Sequence, residues 1–299
     1  MSNNPKTAAW YGNDIGHILV PGAGDIFYVN GVTGVDTNDG LTPDTPVLTI
    51  TYALTDLVTA GADDYIIVLD YADPPSVTET FPIACNVNDV HIIGMGVFNM
   101  NRTPIWPAGA TAAFEITDHD VEIAGFDLAA GAASACIENG DTVWRAWIHD
   151  NEFGRIHGCQ DGIGIGLGAV DCPHWLIENN TFGHLNTLTR DGIRIEQNST
   201  RSVIRNNLFY VDTGTVGIHL QGLCTAIGYI MDNRFKVADA QAGEAVYVEN
   251  VNASVCQFHN NMVASGNVAM TFNPYRDLGA ACHWGVNYAG TAPIYPVTV

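Results

Sequence analysis

The chain carries very little positive charge. Of its 299 residues only 11 are Lys or Arg, against 32 Asp or Glu, which gives a formal net charge of −21. Binding to duplex DNA or RNA and adhesion to anionic lipid both depend on a basic surface. We therefore expect no nucleic-acid partner, and an acidic, solvated surface that favours solubility.

Long apolar runs are also missing. No stretch of about 18 uncharged apolar residues occurs, so we expect no membrane insertion. Residues 1–14 are polar and lack the apolar core of a secretory signal, which favours folding in a cytoplasm. Charged residues make up 14% of the chain and apolar residues 47%, so there is enough apolar material for a large core.

The seven cysteines form no metal-binding pattern. Their odd number, scattered spacing and lack of a Cys-x-x-Cys pair favour free thiols in a reducing compartment. The pairs His157/Cys159 and Cys172/His174 are zinc-type ligands, but the strand predicted between them holds the pairs roughly 20 Å apart. We expect no metal site and no cofactor.

An internal repeat of short strands determines the fold class. Six segments align to one pattern, most fully as apolar, variable, Asx, Asn, variable, aromatic, and their last residues are 27, 29, 27, 26 and 28 positions apart. A second, alternating motif lies between the later copies and is typical of a strand. The first motif occupies 121–126, 148–153, 177–182, 204–209, 230–235 and 258–263; the second occupies 162–165, 192–195, 217–220 and 245–248.

Such a unit cannot bury its own apolar face, but stacked copies can bury it between them. The repeat therefore predicts an all-β, single-stranded parallel β-helix in which equivalent side chains form ladders inside the tube. The predicted asparagine ladder is Asn151, Asn180, Asn207, Asn233 and Asn261. The predicted aromatic ladder is Phe126, Phe153, Phe182, Phe209 and Phe235.

The segment before the coils has the features of a cap. A strand is predicted at 26–29, and an amphipathic helix at 49–58 would cover the open end of the solenoid. We divide the chain into an N-terminal arm (1–24), an N-terminal cap (25–62), the parallel β-helix (63–275) and a C-terminal cap or tail (276–299). The arm contains Trp10, Tyr11 and an apolar run at 18–20, which favours attachment to a partner.

The run from Tyr28 to Pro46, followed by Leu48-Thr-Ile50, resembles the N-terminal cap of pectate-lyase-like right-handed β-helix proteins. The sequence at 64–69 is similar to the strand where the first coil begins in that superfamily. The resemblance covers about residues 25–275 and implies a right-handed parallel β-helix. It does not imply an activity, because the superfamily includes lyases, glycoside hydrolases, phage tailspikes and inert virion proteins.

One outer face of the coils gathers polar side chains. Strand alternation places Gly164, Arg194, His219 and Tyr247 in one outward column and Gly166, Glu196, Gln221 and Glu249 in the next. If the protein is an enzyme, the candidate catalytic residues are Asp161, Asp191 and Arg194. The candidate ligand-binding residues are Glu196, His219, Gln221, Tyr247 and Glu249.

Three functions remain open at this point. The missing catalytic signatures and the flanking apolar segments favour a non-catalytic bacteriophage virion protein (a capsid decoration, fibre or tailspike-like component). We expect such a protein to form a homotrimer, to fold in the host cytoplasm and to contact other virion proteins through residues 1–24. The second function is a polysaccharide lyase or glycoside hydrolase acting on an acidic polysaccharide, where Ca²⁺ is expected only for a lyase. The third is a glycan-binding adhesin that uses outward aromatics such as Trp147 or Trp144 to bind host polysaccharide.

Overall fold

The computed structural model describes most of the chain from Gly24 onward. The described residues are 24–71, 79–95, 102–131, 133–154, 159–168, 170–183, 188, 190–211, 214–224, 226–237, 244–249, 255–265, 274–278, 282–289, 292–294 and 297–298. His157 and nearly all of the N-terminal arm therefore lie outside the described residues.

The described chain is a parallel β-solenoid built from three long sheets, as the repeat predicts. In the regular coils the chain passes from the first sheet to the second and then to the third before it starts the next coil. Every strand pairing in the three sheets is parallel except that between β26 and β27 (Asn287–Ala289 and Ala292–Ile294).

The first sheet contains ten strands: β1 (Ile26–Asn30), β2 (Asp64–Asp70), β4 (Val90–Gly94), β7 (Val121–Ala124), β10 (Trp147–His149), β13 (Leu176–Glu178), β16 (Ser199–Arg205), β19 (Ala226–Met231), β22 (Val255–His259) and β25 (His283–Trp284). The second contains β5 (Thr103–Ile105), β8 (Phe126–Leu128), β11 (Glu152–Phe153), β14 (Thr181–Phe182), β17 (Leu208–Val211), β20 (Arg234–Val237), β23 (Met262–Ser265), β26 and β27. The third contains β3 (Ile83–Cys85), β6 (Phe114–Ile116), β9 (Ala135–Asn139), β12 (Asp161–Ile165), β15 (Asp191–Ile195), β18 (Val216–Leu220), β21 (Glu244–Val248), β24 (Tyr275–Asp277) and β28 (Val297–Thr298).

The predicted asparagine ladder is confirmed, and Asn287 adds a sixth member. From β7 to β23, each bend between the first and second sheets has one residue in the left-handed region, and Asn206 is one of them with φ 55°. The next residue, Asn207, turns inward, where its Oδ1 accepts from the backbone N–H of Asn180 at 2.9 Å. Its Nδ2 donates to the carbonyl of Ile177 at 3.0 Å. The Asx-Asn pair of the repeat therefore encodes both the bend and its hydrogen bonds.

The predicted aromatic ladder is correct for four of its five members. Phe153, Phe182, Phe209 and Phe235 stack with neighbouring ring centroids 4.6, 4.6 and 4.8 Å apart. Phe126 is buried but does not belong to this stack, because Leu128 is the residue that pairs with Phe153.

The reason for this error in register lies in Gly125. Its φ of 79° takes the turn position that Asp150, with φ 53°, occupies one coil later. Phe126 then stands opposite Asn151, whose Oδ1 accepts from its backbone N–H at 3.0 Å. The alignment of segment 121–126 with 148–153 is therefore wrong by two residues.

Glycine in the second motif makes room for the rings. A Cβ added to Gly162, Gly192 or Gly217 would lie 2.5–2.7 Å from the neighbouring phenylalanine ring, far inside contact distance. The three rings are those of Phe182, Phe209 and Phe235. The Gly-Ile pattern of these strands is therefore a packing requirement of the core.

The N-terminal cap has the predicted form. A helical segment begins with α1 (Ile50–Tyr52) and continues with wider, π-type turns over Ala53–Leu57, after Thr49 accepts from the Tyr52 N–H at 3.1 Å. Its apolar side joins the main core, where Ile50 and Leu54 are buried. The segment thereby covers apolar surface at the first coils.

The segment 276–299, predicted as a C-terminal cap or tail, contributes short strands to the solenoid where the structure describes it. In the described part of 276–299, β25, β26 and β28 each add a parallel strand to one of the three sheets. These strands are two or three residues long, too short to show an alternating pattern in the sequence. Within the described residues, no helix is long and apolar enough to span a membrane.

Candidate functional site

The predicted outward column on the third sheet is confirmed. Gly164, Arg194, His219 and Tyr247 are successive register neighbours, and Arg276 follows them on β24. The His219 ring stacks on the Tyr247 ring with 4.9 Å between centroids, and the Arg276 guanidinium lies 4.7 Å from the same Tyr247 ring. The column is therefore a continuous stack of polar and aromatic groups.

The two candidate catalytic carboxylates are register neighbours, but both are buried. Asp161 is held by Arg190, whose Nε donates to its Oδ1 at 2.8 Å. Burial raises the pKa of Asp161, and the ion pair with Arg190 opposes that rise only in part. The Asp191 Oδ2 lies 3.1 Å from His219 Nδ1. Each carboxylate thus faces its own partner within the protein.

The other predicted site residues contact one another as well. Arg194 Nη2 lies 2.5 Å from Glu196 Oε1 and 2.7 Å from Gln221 Oε1. His219 Nε2 is 3.4 Å from Glu249 Oε2, too poorly aligned for a hydrogen bond. The structure therefore brings all the predicted site residues onto one face, where most of their charge is already neutralised by neighbours.

Two acidic residues extend this column and were missed by the sequence analysis. Glu115 and Glu138 are register neighbours, and Glu138 pairs with Gly164. Burial raises the pKa of Glu138, and the nearby carboxylates of Glu115 and Asp161 raise it further. The signal in the sequence is the same alternation, because Glu115 follows the inward Phe114 and Glu138 follows the inward Ile137.

A second surface, on the first sheet, forms a groove of about 600 Å³ that we call the aromatic groove. Trp144 and Tyr229 are 46% and 43% exposed, high values for such large side chains. Polar side chains complete its lining. The lining includes Trp144, Thr200, Arg201, Val203, Tyr229 and Gln257.

Trp147, the other aromatic predicted to bind glycans, lies on the same sheet but outside this lining. Its Nε1 donates to Glu178 at 3.1 Å, and its ring stacks on His149 with 4.1 Å between centroids. Its ring is therefore partly engaged by neighbouring side chains, as the Trp144 ring is by His119 with 5.8 Å between centroids, and 39% of Trp147 stays exposed.

A third surface follows the bend between the first and second sheets. This groove of about 850 Å³, which we call the asparagine groove, lies over the outward turn residues Asn206, Asp232 and Asn260. Arg234 and Tyr288, which lie outward on the second sheet, form its other side. The groove is thus a product of the same Asx positions that make the bends.

A chain of hydrogen bonds between histidines and carboxylates crosses the outer face of the first sheet near the N-terminal end. The buried Glu122 accepts from His149 Nε2 at 2.6 Å and from His91 Nδ1. Asp63 and Asp150 bind the outer ring nitrogens of His91 and His149, each at 2.7 Å. With a carboxylate on both nitrogens, each ring is favoured as an imidazolium.

The pKa values follow from this arrangement. Burial alone would lower the pKa of His149, but its hydrogen bonds to Asp150 and Glu122 outweigh burial and raise the pKa to about 9. The pKa of His91 is raised in the same way. Burial would raise the pKa of Glu122, but the two histidines lower it.

The free energy of unfolding is therefore expected to fall as the pH rises from about 6.5 to 9. The raised pKa of His149 means that its contribution is complete below the unfolded value of 6.5 and is lost as the pH passes about 9. Urea denaturation across this range measures the change. His149→Gln should flatten this pH profile of the free energy of unfolding. His259→Gln should leave the profile unchanged, because the His259 ring faces Gln257 rather than a carboxylate. Parallel profiles for all three proteins would contradict the assignment.

None of the seven cysteines forms a disulfide, and six of them are buried. Among the described residues, no group of three or more His, Cys, Asp or Glu side chains is arranged to hold a metal ion.

In comparisons with known proteins, no family model matches the chain, and neither the curated proteins nor the solved structures contain a match.

Proposed function

We propose that this β-solenoid is a non-catalytic polysaccharide-binding protein that holds its ligand in the aromatic groove. The observation that carries the proposal is the pair of half-exposed rings, Trp144 and Tyr229, on one groove. Aromatic faces pack against the apolar faces of sugar rings, and the nearby Thr200 and Gln257 supply hydrogen bonds to hydroxyl groups.

The dimensions of the groove suit a linear ligand. Trp144 belongs to the coil of β10 and Tyr229 lies on β19, three coils further along. At about 4.8 Å per coil, the two rings are separated by about 14 Å along the solenoid axis. A chain of several sugar units is thus the ligand class that contacts both rings at once.

The third sheet supports a function without catalysis. A retaining glycosidase needs two accessible carboxylates, one of which attacks the sugar. Asp161 and Asp191 are instead buried against Arg190 and His219. A polysaccharide lyase or glycoside hydrolase remains the alternative function.

Assignment to a virion, trimer formation and attachment through residues 1–24 stay predictions from the sequence and its resemblance. A tailspike-like or fibre-like component that binds a host polysaccharide in the aromatic groove would be consistent with all three predictions. In that setting the solenoid is the recognition module, and the N-terminal arm is the attachment segment.

Binding to a glycan array, followed by titration with the polymer retained, tests the proposal. Trp144→Ala and Tyr229→Ala are each expected to weaken binding by at least about tenfold, since a buried aromatic contact is worth more than about 1 kcal/mol. Leu223→Ala is the matched control, because Leu223 is 64% exposed and lies outside the groove. All three variants should keep the parent's circular dichroism.

Two outcomes would contradict the proposal. Equal binding by the parent and both aromatic variants would move the site elsewhere on the molecule. Release of reducing ends or unsaturated products from the bound polymer would show turnover and favour the enzyme alternative.

A further inference from the structure

Most cationic side chains of the solenoid are paired with a carboxylate or an aromatic ring. The described residues include nine Arg or Lys side chains, and six of these pair with carboxylates. The six are Arg102, Arg145, Arg190, Arg194, Arg205 and Arg276. Lys236 lies 5.3 Å from the Tyr210 ring centroid, in a cation–π contact. Among the described residues, only Arg201 and Arg234 have neither a carboxylate nor an aromatic partner.

The positions of these two arginines are not scattered. Arg201 lines the aromatic groove, and Arg234 lines the asparagine groove. In a chain with 32 acidic residues against 11 basic ones, carboxylates are abundant enough to neutralise every arginine. The two guanidinium groups left without a partner nevertheless both lie in concave surfaces, where a ligand would meet them.

The two grooves also lie on the same coils. Val203 and Tyr229 line the first groove, and Asn206 and Asp232, three residues further along the same strands and turns, line the second. Three residues of extended chain span about 10 Å, so the grooves are adjacent around the bend. One linear polymer is therefore long enough to contact both.

We propose that the ligand of the aromatic groove is an acidic polysaccharide. Its anionic groups bind Arg201 in that groove and, further along the polysaccharide, Arg234 in the asparagine groove. This inference rests on the proposed function. A guanidinium donates two parallel hydrogen bonds to a carboxylate or a sulfate, the two anionic groups that sugars commonly carry. The rings of Trp144 and Tyr229 supply contact with the sugar rings, and Arg201 supplies the selection for negative charge.

The net charge of −21 gives this selection a physical role. A polyanion is repelled by most of such a surface, so an unpaired arginine marks the places where approach is favoured. Added salt screens the attraction to the two arginines and the repulsion by the rest of the surface alike, so the acidic-to-neutral affinity ratio is compared at one fixed salt concentration.

The test compares each acidic polymer with a neutral partner. Polygalacturonate and its carboxyl-reduced form report on carboxylates, and dextran sulfate and dextran report on sulfates. The parent protein is expected to bind at least one acidic polymer about tenfold or more tightly than its neutral partner, because charge-assisted hydrogen bonds are stronger than neutral ones. Arg201→Gln should remove most of that ratio, and Arg234→Gln should reduce it.

Arg205→Gln is the matched control. Arg205 lies on the same strand as Arg201 and is 40% exposed, but its Nε bonds Glu178 at 2.7 Å. It should keep the parent's preference. Trp144→Ala should weaken acidic and neutral polymers alike, which separates ring contact from charge selection.

The remaining outcomes distinguish a failure of this inference from a failure of the proposed function. Equal affinity for the acidic and neutral partners, or an unchanged ratio in Arg201→Gln, overturns this inference and leaves the proposed function standing. An absence of binding to all four polymers and to the glycan array overturns both.

Discussion

Phe209→Ala is expected to lower the free energy of unfolding by about 3–5 kcal/mol. The Phe209 ring is fully buried between Phe182 and Phe235, at centroid distances of 4.6 and 4.8 Å. Removing it opens a cavity in the middle of the stack, and neighbouring coils hold the other rings in place. Chemical denaturation followed by circular dichroism measures the loss.

Leu208→Ala provides the control on the same strand. Leu208 is only partly buried and lines the asparagine groove on the outer face. Its truncation should cost less than about 1 kcal/mol. Similar losses for the two variants would mean that the inward register of β17 is wrong.

Asn207→Ala is expected to cost about 2–6 kcal/mol, because two buried backbone groups lose their partners at about 1–3 kcal/mol each. The N–H of Asn180 loses its acceptor, and the carbonyl of Ile177 loses its donor. The bonds of Asn207 to the neighbouring ladder side chains are lost as well, so the effect should spread to both adjacent coils.

Asn206→Gly is the matched control for the ladder. Asn206 has the same side chain one position earlier, but it points outward and its backbone has φ 55°. Glycine adopts this conformation readily, so the stability should change by less than about 1 kcal/mol. A loss equal to that of Asn207→Ala would contradict the division between turn residue and ladder residue.

The repeat alone was sufficient to predict the solenoid and the interior of its regular coils. In a stack of parallel coils, a residue and its equivalent one period later are hydrogen-bonded neighbours. The spacing of Asn180, Asn207 and Asn233 therefore fixed the ladder, and the spacing of Phe182 and Phe209 fixed the ring stack. The prediction was wrong at Phe126, because Gly125 fills the turn position that Asp or Asn fills in later coils.

The outer face was predictable only in part. Alternation placed Arg194, His219 and Tyr247 in one column, because side-chain direction along a strand has a period of two. It did not show that Arg190 covers Asp161, since that contact depends on the path of the loop before β15 and on the rotamer of a long side chain. The two candidate catalytic carboxylates are register neighbours, as the alternation predicts, but their burial was not predicted.

The sequence by itself determined the coil, the inward ladders and the scarcity of positive charge. Only the tertiary structure shows which exposed side chains share a groove. The aromatic groove joins Trp144, Arg201 and Tyr229, which lie on different coils and share no local motif. Whether an arginine is neutralised likewise depends on carboxylates about one coil away, as in the pairing of Arg205 with Glu178. Local periodicity fixes the backbone register, whereas contacts between exposed side chains of different coils arise only once the solenoid has formed.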